Sequence, residues 1–324
     1  MTARITVLGT GGTIASTDGE GGASPSKRGA ELVSSVPELG EHAELSVEEV
    51  AQIPSFDMDW ETIHRMRSAA EKAGEEADGV VITHGTDTME ESAYALDMVF
   101  GGDVPVVFTG AQRRSDETSP DGPSNLLTAV RAAADDRFRG NGAAYIAFDE
   151  TVHAARDVTK AHTSDLGTFV SPDKGPIASL TREDVRIYRP PRSYSVDLPG
   201  GVPESTIRMV KSGVSVSGAQ FEAALEAGVD GIVLEGTGLG NATTALGEAV
   251  EEAVSAGVPV VVTSRCQGGA TAPVYGGGGG GETLNQHGAV FGDDLPAHKA
   301  RLKLALALEA TDDHGELADL FGPY

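Results

Sequence analysis

Cysteine is almost absent from this chain: Cys266 stands alone among 324 residues, which excludes a disulfide within the chain. The N-terminus shows no basic segment followed by an apolar stretch and a cleavage site, and no apolar run approaches the roughly 20 residues that a membrane span needs. The expected location is the cytoplasm, with no membrane partner. Lysine is scarce too. Seven lysines and 17 arginines face 49 Asp and Glu, giving a formal net charge of -25 and a pI near 4.5. A charge of that size and single sign repels phosphate backbones, which argues against a nucleic-acid partner, and it opposes the folded state by self-repulsion unless counterions screen it. Few lysines beside a surplus of carboxylates read as adaptation to high salt. No internal repeat of the solenoid kind is present, and no metal-ligand spacing links the eight histidines.

What is present is a regular alternation of short apolar runs with helix-like stretches. Residues 104–108 and 258–262 are continuous apolar runs of the kind buried on both faces of a parallel sheet. The reading is an α/β protein of two domains. A larger N-terminal one, over 1–189, is a mostly parallel sheet flanked by helices, and a smaller C-terminal α/β domain covers 205–324. The proline-rich stretch RPPRSYSVDLPGGVP supplies the linker, 190–204.

Near the N-terminus the apolar run in ITVLGTGGTIA, residues 5–15, stops at a Thr-Gly-Gly-Thr turn. Two glycines there let the backbone take conformations that a Cβ forbids and let a small ligand approach the main chain. Thr10 and Thr13 flank them, and Thr13 is the candidate nucleophile. Residues 16–29, rich in Gly, Ser and Asp, read as a long mobile loop placed as a lid just after that turn. A strand over 43–53 leads into Pro54-Ser55-Phe56-Asp57-Met58, then a helix over about 59–77 with Ile63, Met66 and Ala70 at helical spacing as core. Strand 79–83 ends in His84-Gly85-Thr86-Asp87-Thr88, and Thr88 or Asp87 is placed to cap the helix that opens at Met89. Strand 104–108 ends in Thr109-Gly110-Ala111, a helix follows from 124 to about 135, and strand 143–148 meets a hairpin within 149–160 built around Ala154 and Ala155. Ligands of open α/β sheets gather at such strand ends. Beyond the linker, strands at 206–210, 231–234 and 258–263 alternate with helices at 217–227 and 244–256, and helices at 297–308 and 316–321 close the chain. The six consecutive glycines at 276–281, with no side chains to pack, are expected to form a flexible or close-approach loop.

Thr13, Thr86, Asp87 and Lys160 make a set of two hydroxyls, a carboxylate and an amine. A threonine hydroxyl holds almost no alkoxide at neutral pH and needs a base, a role that a lysine fills where burial keeps it neutral. Asp87 would orient that lysine or grip a cationic group of a substrate. His84, beside a glycine turn, reads as a hydrogen-bonded structural residue. Gly236-Thr237-Gly238-Leu239-Gly240 after a strand raises the alternative of a nucleotide-binding module, although its spacing is not the dinucleotide fingerprint.

In this order the strings TGGTIA, HGTDTMEE, DVTK, LNQHG and HKARLKLALAL resemble the bacterial and archaeal L-asparaginase family, asparaginase-glutaminases included, over essentially the whole chain. The first two strings together are far more specific than a glycine-rich turn alone. The resemblance implies that Thr13 attacks a side-chain amide and that Thr86, Asp87 and Lys160 form a supporting triad. It also implies that Ser55 and Gly85 receive the substrate α-carboxylate while Asp87 holds the α-ammonium, and Ala111 completes the expected substrate-binding set. L-Asparagine as substrate, a β-aspartyl ester intermediate and no cofactor follow from it. So does a homo-oligomer, a dimer of dimers whose neighbouring subunit completes each site. No metal is expected, and weak glutaminase activity is expected from the departure at Phe56. The related amide-hydrolysing subunit of the archaeal tRNA-dependent amidotransferase carries sequence ahead of its TGGT string that is missing here, and an acidic surface does not suit tRNA. Three departures from the family pattern stand out. No tyrosine occurs between Ser16 and Gly40, where members often carry one that helps activate the first threonine. Phe56 stands where many have a glutamine that contacts the substrate ammonium. The glycine run replaces a segment that in many members sends an acidic residue into the neighbouring site, with Glu282 nearby.

Overall fold

Strands with no polar alternation need cover on both faces, and the first of two structural units is built on that requirement. The computed structural model describes residues 2–18, 24–25 and 27–322. Its two units are Met1–Asp197 and Leu198–Tyr324. The first runs β1 (Ala3–Gly11), β2 (Ser16–Thr17), β3 (Ser24–Pro25), α1 (Gly29–Ser34), β4 (Ala43–Ile53), α2 (Trp60–Gly74), β5 (Gly79–Thr83), α3 (Met89–Val99) and β6 (Val106–Thr109). It continues with α4 (Gly122–Ala134), β7 (Ala144–Phe148), β8 (Thr151–Ala154), β9 (Thr159–Lys160), β10 (Phe169–Val170), β11 (Ala178–Leu180) and β12 (Val185–Ile187). Eight of these strands form one sheet in the order β12-β11-β8-β7-β6-β5-β1-β4. The strands from β7 to β4 in that order are parallel, and the β8, β11 and β12 extension is antiparallel. Val7, Val81, Val107 and Tyr145 share a buried cluster with Leu126, Ala129, Val130 and Ala133 of α4. The alternate residues Leu8, Ile82, Phe108 and Ile146 are equally buried on the opposite face, where α2 and α3 lie. Helix α2 carries Ile63, Met66 and Ala70 inward and starts where the Asp59 carboxylate accepts the Thr62 amide at 2.8 Å.

From β1 the chain crosses to β4 on one side, then returns past β1 to lay down β5, β6 and β7 on the other. The reversal falls between β1 and β5. Crevices at such switch points, outside the carboxyl ends of the strands, are where open α/β sheets bind ligands. Register keeps those ends level: Gly9 pairs with Thr83, Thr83 with Thr109, and Gly11 with Ile53.

Two local expectations need correction. The β7–β8 hairpin turns at Asp149 and Glu150, both with positive φ (47° and 58°), and not at the buried Ala154 and Ala155. Asn125 Oδ1 accepts the Asp149 amide at 2.9 Å and steadies that turn in place of a glycine. Thr88 does occupy the N-cap position of α3, yet its hydroxyl donates to the Ser55 carbonyl (2.6 Å), and the Asp87 carboxylate meets Lys160, so neither side chain caps the helix. Of the expected lid over 16–29, β2 pairs antiparallel with β3, while residues 19–23 and 26 lie outside the described residues.

The second unit comprises β13 (Ile207–Lys211), α5 (Ala219–Glu226), β14 (Gly231–Gly236), α6 (Thr244–Ser255), β15 (Val260–Ser264), α7 (Gly281–Gln286), β16 (Val290–Phe291), α8 (Ala297–Leu308) and α9 (His314–Leu320). Its four strands are parallel in the order β13-β14-β15-β16 around Phe221, Ile232, Leu234, Leu246, Val250 and Val262. The glycine run takes the close-approach course: a β-carbon on Gly247 of α6 would overlap the Gly278 carbonyl, and one on Gly279 the Ala242 and Thr243 carbonyls. The division between the units falls after Asp197. Just before it, the Ser193 and Ser195 hydroxyls donate to the buried Asp97 carboxylate at 2.9 and 2.5 Å. Among the described residues no helix is long and apolar enough to cross a membrane.

Candidate active site

The ends of β1, β4, β5 and β6 supply the site together with Lys160 of β9. After β1, Gly11 and Gly12 take φ of 104° and 81°, a left-handed course that presents Thr13 at the head of a short 3-10 turn, Thr13–Ala15. Two hydroxyls brace this turn: Thr10 Oγ1 donates to the Thr83 carbonyl (2.7 Å) and Ser16 Oγ to the Gly12 carbonyl (2.8 Å). Thr13 itself is half-buried. After β4, Ser55 opens a second 3-10 turn and is 4% exposed, while Phe56 beside it projects outward at 70%.

The turn after β5 carries the polar centre. Lys160 Nζ donates to Thr86 Oγ1 at 2.9 Å and forms an ion pair with Asp87 Oδ1 at 2.8 Å. With its oxygen already accepting from Lys160, the Thr86 hydroxyl directs its own proton at Gln112 Oε1, 3.5 Å away. The Lys160 side chain is 13% exposed and that of Asp87 58%, so the carboxylate faces solvent while the amine is sheltered. The Asp87 amide donates to Ser55 Oγ at 3.3 Å, which ties the β4 and β5 turns together. Thr86, Asp87, Lys160, Ser55 and Gly85 therefore form one contiguous set. Thr13 joins it through the backbone of its turn, which packs against Gly85. Ala111, after β6, is fully buried and has only its main chain to offer.

His84 is a structural residue. Its Nδ1 lies 2.7 Å from the Gly85 carbonyl, its ring packs edge-on against Phe108, and complete burial pushes its pKa down to about 4. A neutral ring follows at physiological pH.

Several contributors escaped sequence reasoning. Asp121 accepts the Gln112 and Arg113 amides at 3.0 and 2.8 Å, and Asn125 Nδ2 donates to the Gly110 carbonyl at 3.0 Å, so the start of α4 shapes the loop after β6. Their signal, DGPSN, looks like an ordinary helix start. Glu90, within HGTDTMEE, accepts the Lys160 amide at 3.0 Å. The Gly236–Gly240 segment, by contrast, closes on itself: Thr237 and Asn241 exchange backbone hydrogen bonds at 2.7 and 2.9 Å, and the Gly240 amide donates to Thr237 O. Those amides are not free to cradle a phosphate. Among the described residues, no group of three or more His, Cys, Asp or Glu is placed to hold a metal ion.

Residues 4–193 match the family model of the asparaginase N-terminal domain, and residues 206–321 that of the Glutaminase/Asparaginase C-terminal domain. The chain belongs to the asparaginase family. It is 36% identical to L-asparaginase 2 of Escherichia coli, over 99% of this chain and 93% of that one. It is also 34% identical to a Glutamyl-tRNA(Gln) amidotransferase subunit of Methanothermobacter thermautotrophicus, over 95% of this chain and 73% of that protein. A crystal structure described as a probable cytoplasmic L-asparaginase from Campylobacter jejuni superimposes with a TM-score of 0.88 at 32% identity, all of both chains being covered. The two-unit α/β architecture is that of the asparaginase family.

Proposed function

We propose that the chain is an L-asparaginase, converting L-asparagine to L-aspartate and ammonia. The observation that carries this reading is the Lys160 amine, 2.9 Å from the Thr86 hydroxyl and 2.8 Å from the Asp87 carboxylate, beside the turn that presents Thr13. Thr13 Oγ bonds to the carboxamide carbon while its proton is relayed through the Thr86 hydroxyl, turned from Gln112 toward Lys160, to the neutral form of the Lys160 amine, the only form with a lone pair to accept it. The C–N bond then breaks, and the nitrogen leaves as ammonia with a proton returned along the same path. Water adds to the resulting β-aspartyl ester, the Thr13 oxygen departs, and the hydroxyl is restored. Backbone N–H groups of the two glycine-threonine turns take the oxyanion, a donor of this kind commonly contributing about 3–4 kcal/mol. Ser55 and Gly85 hold the substrate α-carboxylate, Ala111 closes the pocket through its main chain, and the exposed Asp87 carboxylate receives the α-ammonium.

The likeness to the archaeal amidotransferase protein supports a second reading, in which a chain of this kind releases ammonia for a tRNA-dependent partner. A net charge of -25 weighs against it, because tRNA binding rests largely on neutralising phosphates with Lys and Arg. We place the enzyme in the cytoplasm, as a dimer of dimers adapted to high salt. Its single cysteine, its likeness to the Campylobacter jejuni protein, its family membership and its acidity support those readings. The test is ammonia release from asparagine and from glutamine by the purified chain alone. Turnover of asparagine without any partner is expected, and activity only with tRNA and a second protein would overturn the reading.

A further inference from the structure

Lys160 draws little support from the sheet. It ends β9, which is two residues long and among the described residues pairs only with β10, Phe169 standing opposite Lys160. A lone two-stranded hairpin of this size is marginal in water. The Lys160 amide donates instead to Glu90 Oε1 at 3.0 Å, and the Thr159 hydroxyl donates to the same oxygen at 3.3 Å. Glu90 is 6% exposed, an unusual burial for a carboxylate, which needs hydrogen bonds to offset its lost hydration. It is the second residue of α3, the helix that begins directly after Thr86-Asp87-Thr88. One buried carboxylate thus fastens the strand bearing Lys160 to the helix that follows Thr86 and Asp87, the two groups that the Lys160 amine must reach.

We propose that Glu90 is a positioning residue that fixes the main chain of Lys160 so that Nζ falls between Thr86 Oγ1 and Asp87 Oδ1. The proposal rests on the catalytic reading of Lys160 given above. A lysine amine hangs on four methylenes, so a shift of its backbone is transmitted to Nζ or must be absorbed by strained rotamers. Glu90 bonds the Lys160 amide and the Thr159 hydroxyl, so its effect on the reaction is carried by the position of the lysine. An amide at position 90 keeps an acceptor oxygen in place, whereas a methyl group removes it.

Glu90→Ala should lower kcat for asparagine by about 10²-fold, the scale of a misplacement of about 1 Å, with KM changed less than about threefold. Glu90→Gln should stay within about tenfold of wild type, because its side-chain oxygen still accepts the Lys160 amide. In a Lys160→Met background Glu90→Ala should cost less than about threefold more, since the group it positions is gone. Independently of activity, amide exchange at Lys160 should quicken at least about tenfold in Glu90→Ala, with β5 amides unchanged. Near-wild-type kcat in Glu90→Ala would overturn the proposal, as would an equal loss in the Lys160→Met background or unchanged exchange at Lys160. If Glu90→Ala does not fold, Glu90→Gln decides: a loss as deep as that of Lys160→Met would rule out positioning through the acceptor oxygen. A wild-type enzyme inert toward asparagine would sink the functional reading alone, because the exchange experiment would still report on the Glu90 anchor.

Discussion

Gly12 packs against Gly85 so closely that a β-carbon on Gly12 would overlap the Gly85 amide nitrogen, and one on Gly85 would meet the Ser55 hydroxyl oxygen. The turns after β1 and β5 are therefore in contact through their main chains, and the turn after β4 meets them through the Ser55 side chain. Thr13 and Thr86 each follow one of these glycines, so their separation is set by backbone packing and not by a bond between their side chains. Interiors packed this tightly resist displacement of even a few tenths of an ångström. The level strand ends and the glycine contact together make the two threonine turns one rigid platform.

On the proposed reading Thr13 is the attacking group, and Thr13→Ala should lower asparagine turnover by roughly 10⁴- to 10⁶-fold with the fold intact, as losing one member of a coupled catalytic set commonly does. Thr86→Ala and Lys160→Met should do comparable damage, and the losses should not add. Steady-state ammonia release, with circular dichroism as the folding control, checks this. A Thr13→Ala enzyme keeping more than about a tenth of wild-type turnover would refute the assignment.

Two buried histidines give stability a pH dependence of definite sign. Burial pushes His84 and His153 down to about 4 from an ordinary value of 6.5. Between those values the unfolded chain binds more protons, so the stabilisation is complete above pH 6.5 and is lost as pH falls toward 4. From pH 6.5 to 5.5 each histidine should remove about 1 kcal/mol from the unfolding free energy. Urea titrations in about 3 M KCl, where carboxylate repulsion is screened, should show this decline, and His153→Gln should halve it. A pH-independent midpoint across that interval would show that the two rings are not buried neutral.

Much of this was legible in the sequence because it depends on short-range rules. The strands Ala43–Ile53 and Gly79–Thr83 and the helix Ala297–Leu308 announce themselves by apolar runs or period, and Thr86, Asp87 and Lys160 by their motifs. The errors lie where a tertiary partner overrode a local preference. Asp149 and Glu150 make a tight turn without glycine because Asn125, a distant helix residue, accepts the turn amide. Thr88 looks like a cap, but its hydroxyl is turned to donate to Ser55 O and accepts no helix amide. Nothing in the sequence around Glu90 signals its burial, which comes from the packing of β9 against it. No periodicity can reveal a contact between segments some 70 residues apart.

The surplus of carboxylates should make stability depend on salt. At about 0.01 M salt the Debye length is roughly 30 Å and acidic groups repel across the whole surface, whereas at 1 M it is about 3 Å. Exposed ion pairs such as Arg4–Asp78, Arg67–Glu71 and Arg114–Asp116 do little to balance this, because solvent and salt screen them. Melting temperature, activity and tetramer assembly should all rise with KCl. A melting temperature flat from about 0.05 to 3 M would refute the high-salt reading, since the Debye length changes several-fold over that range.

Substrate choice should turn on Phe56. Its ring lies beside the buried Ser55 and is 70% exposed, at the position where the family resemblance implies an amide in contact with the substrate ammonium. On the proposed reading, recognition of that ammonium then falls to Asp87 alone, whose carboxylate is already shared with Lys160. Glutamine is one methylene longer than asparagine. In a pocket that fixes both the α-carboxylate and the attacking oxygen, the extra methylene pushes the carboxamide out of line, a misfit typically worth about 1–3 kcal/mol, or 10- to 200-fold. The enzyme should therefore prefer asparagine and hydrolyse glutamine weakly. In Phe56→Gln the added amide should tighten the hold on the ammonium of both substrates and shift the ratio of their kcat/KM values. Equal kcat/KM for the two amides in wild type would refute the preference, and an unaltered ratio in Phe56→Gln would show that the ring is not its cause.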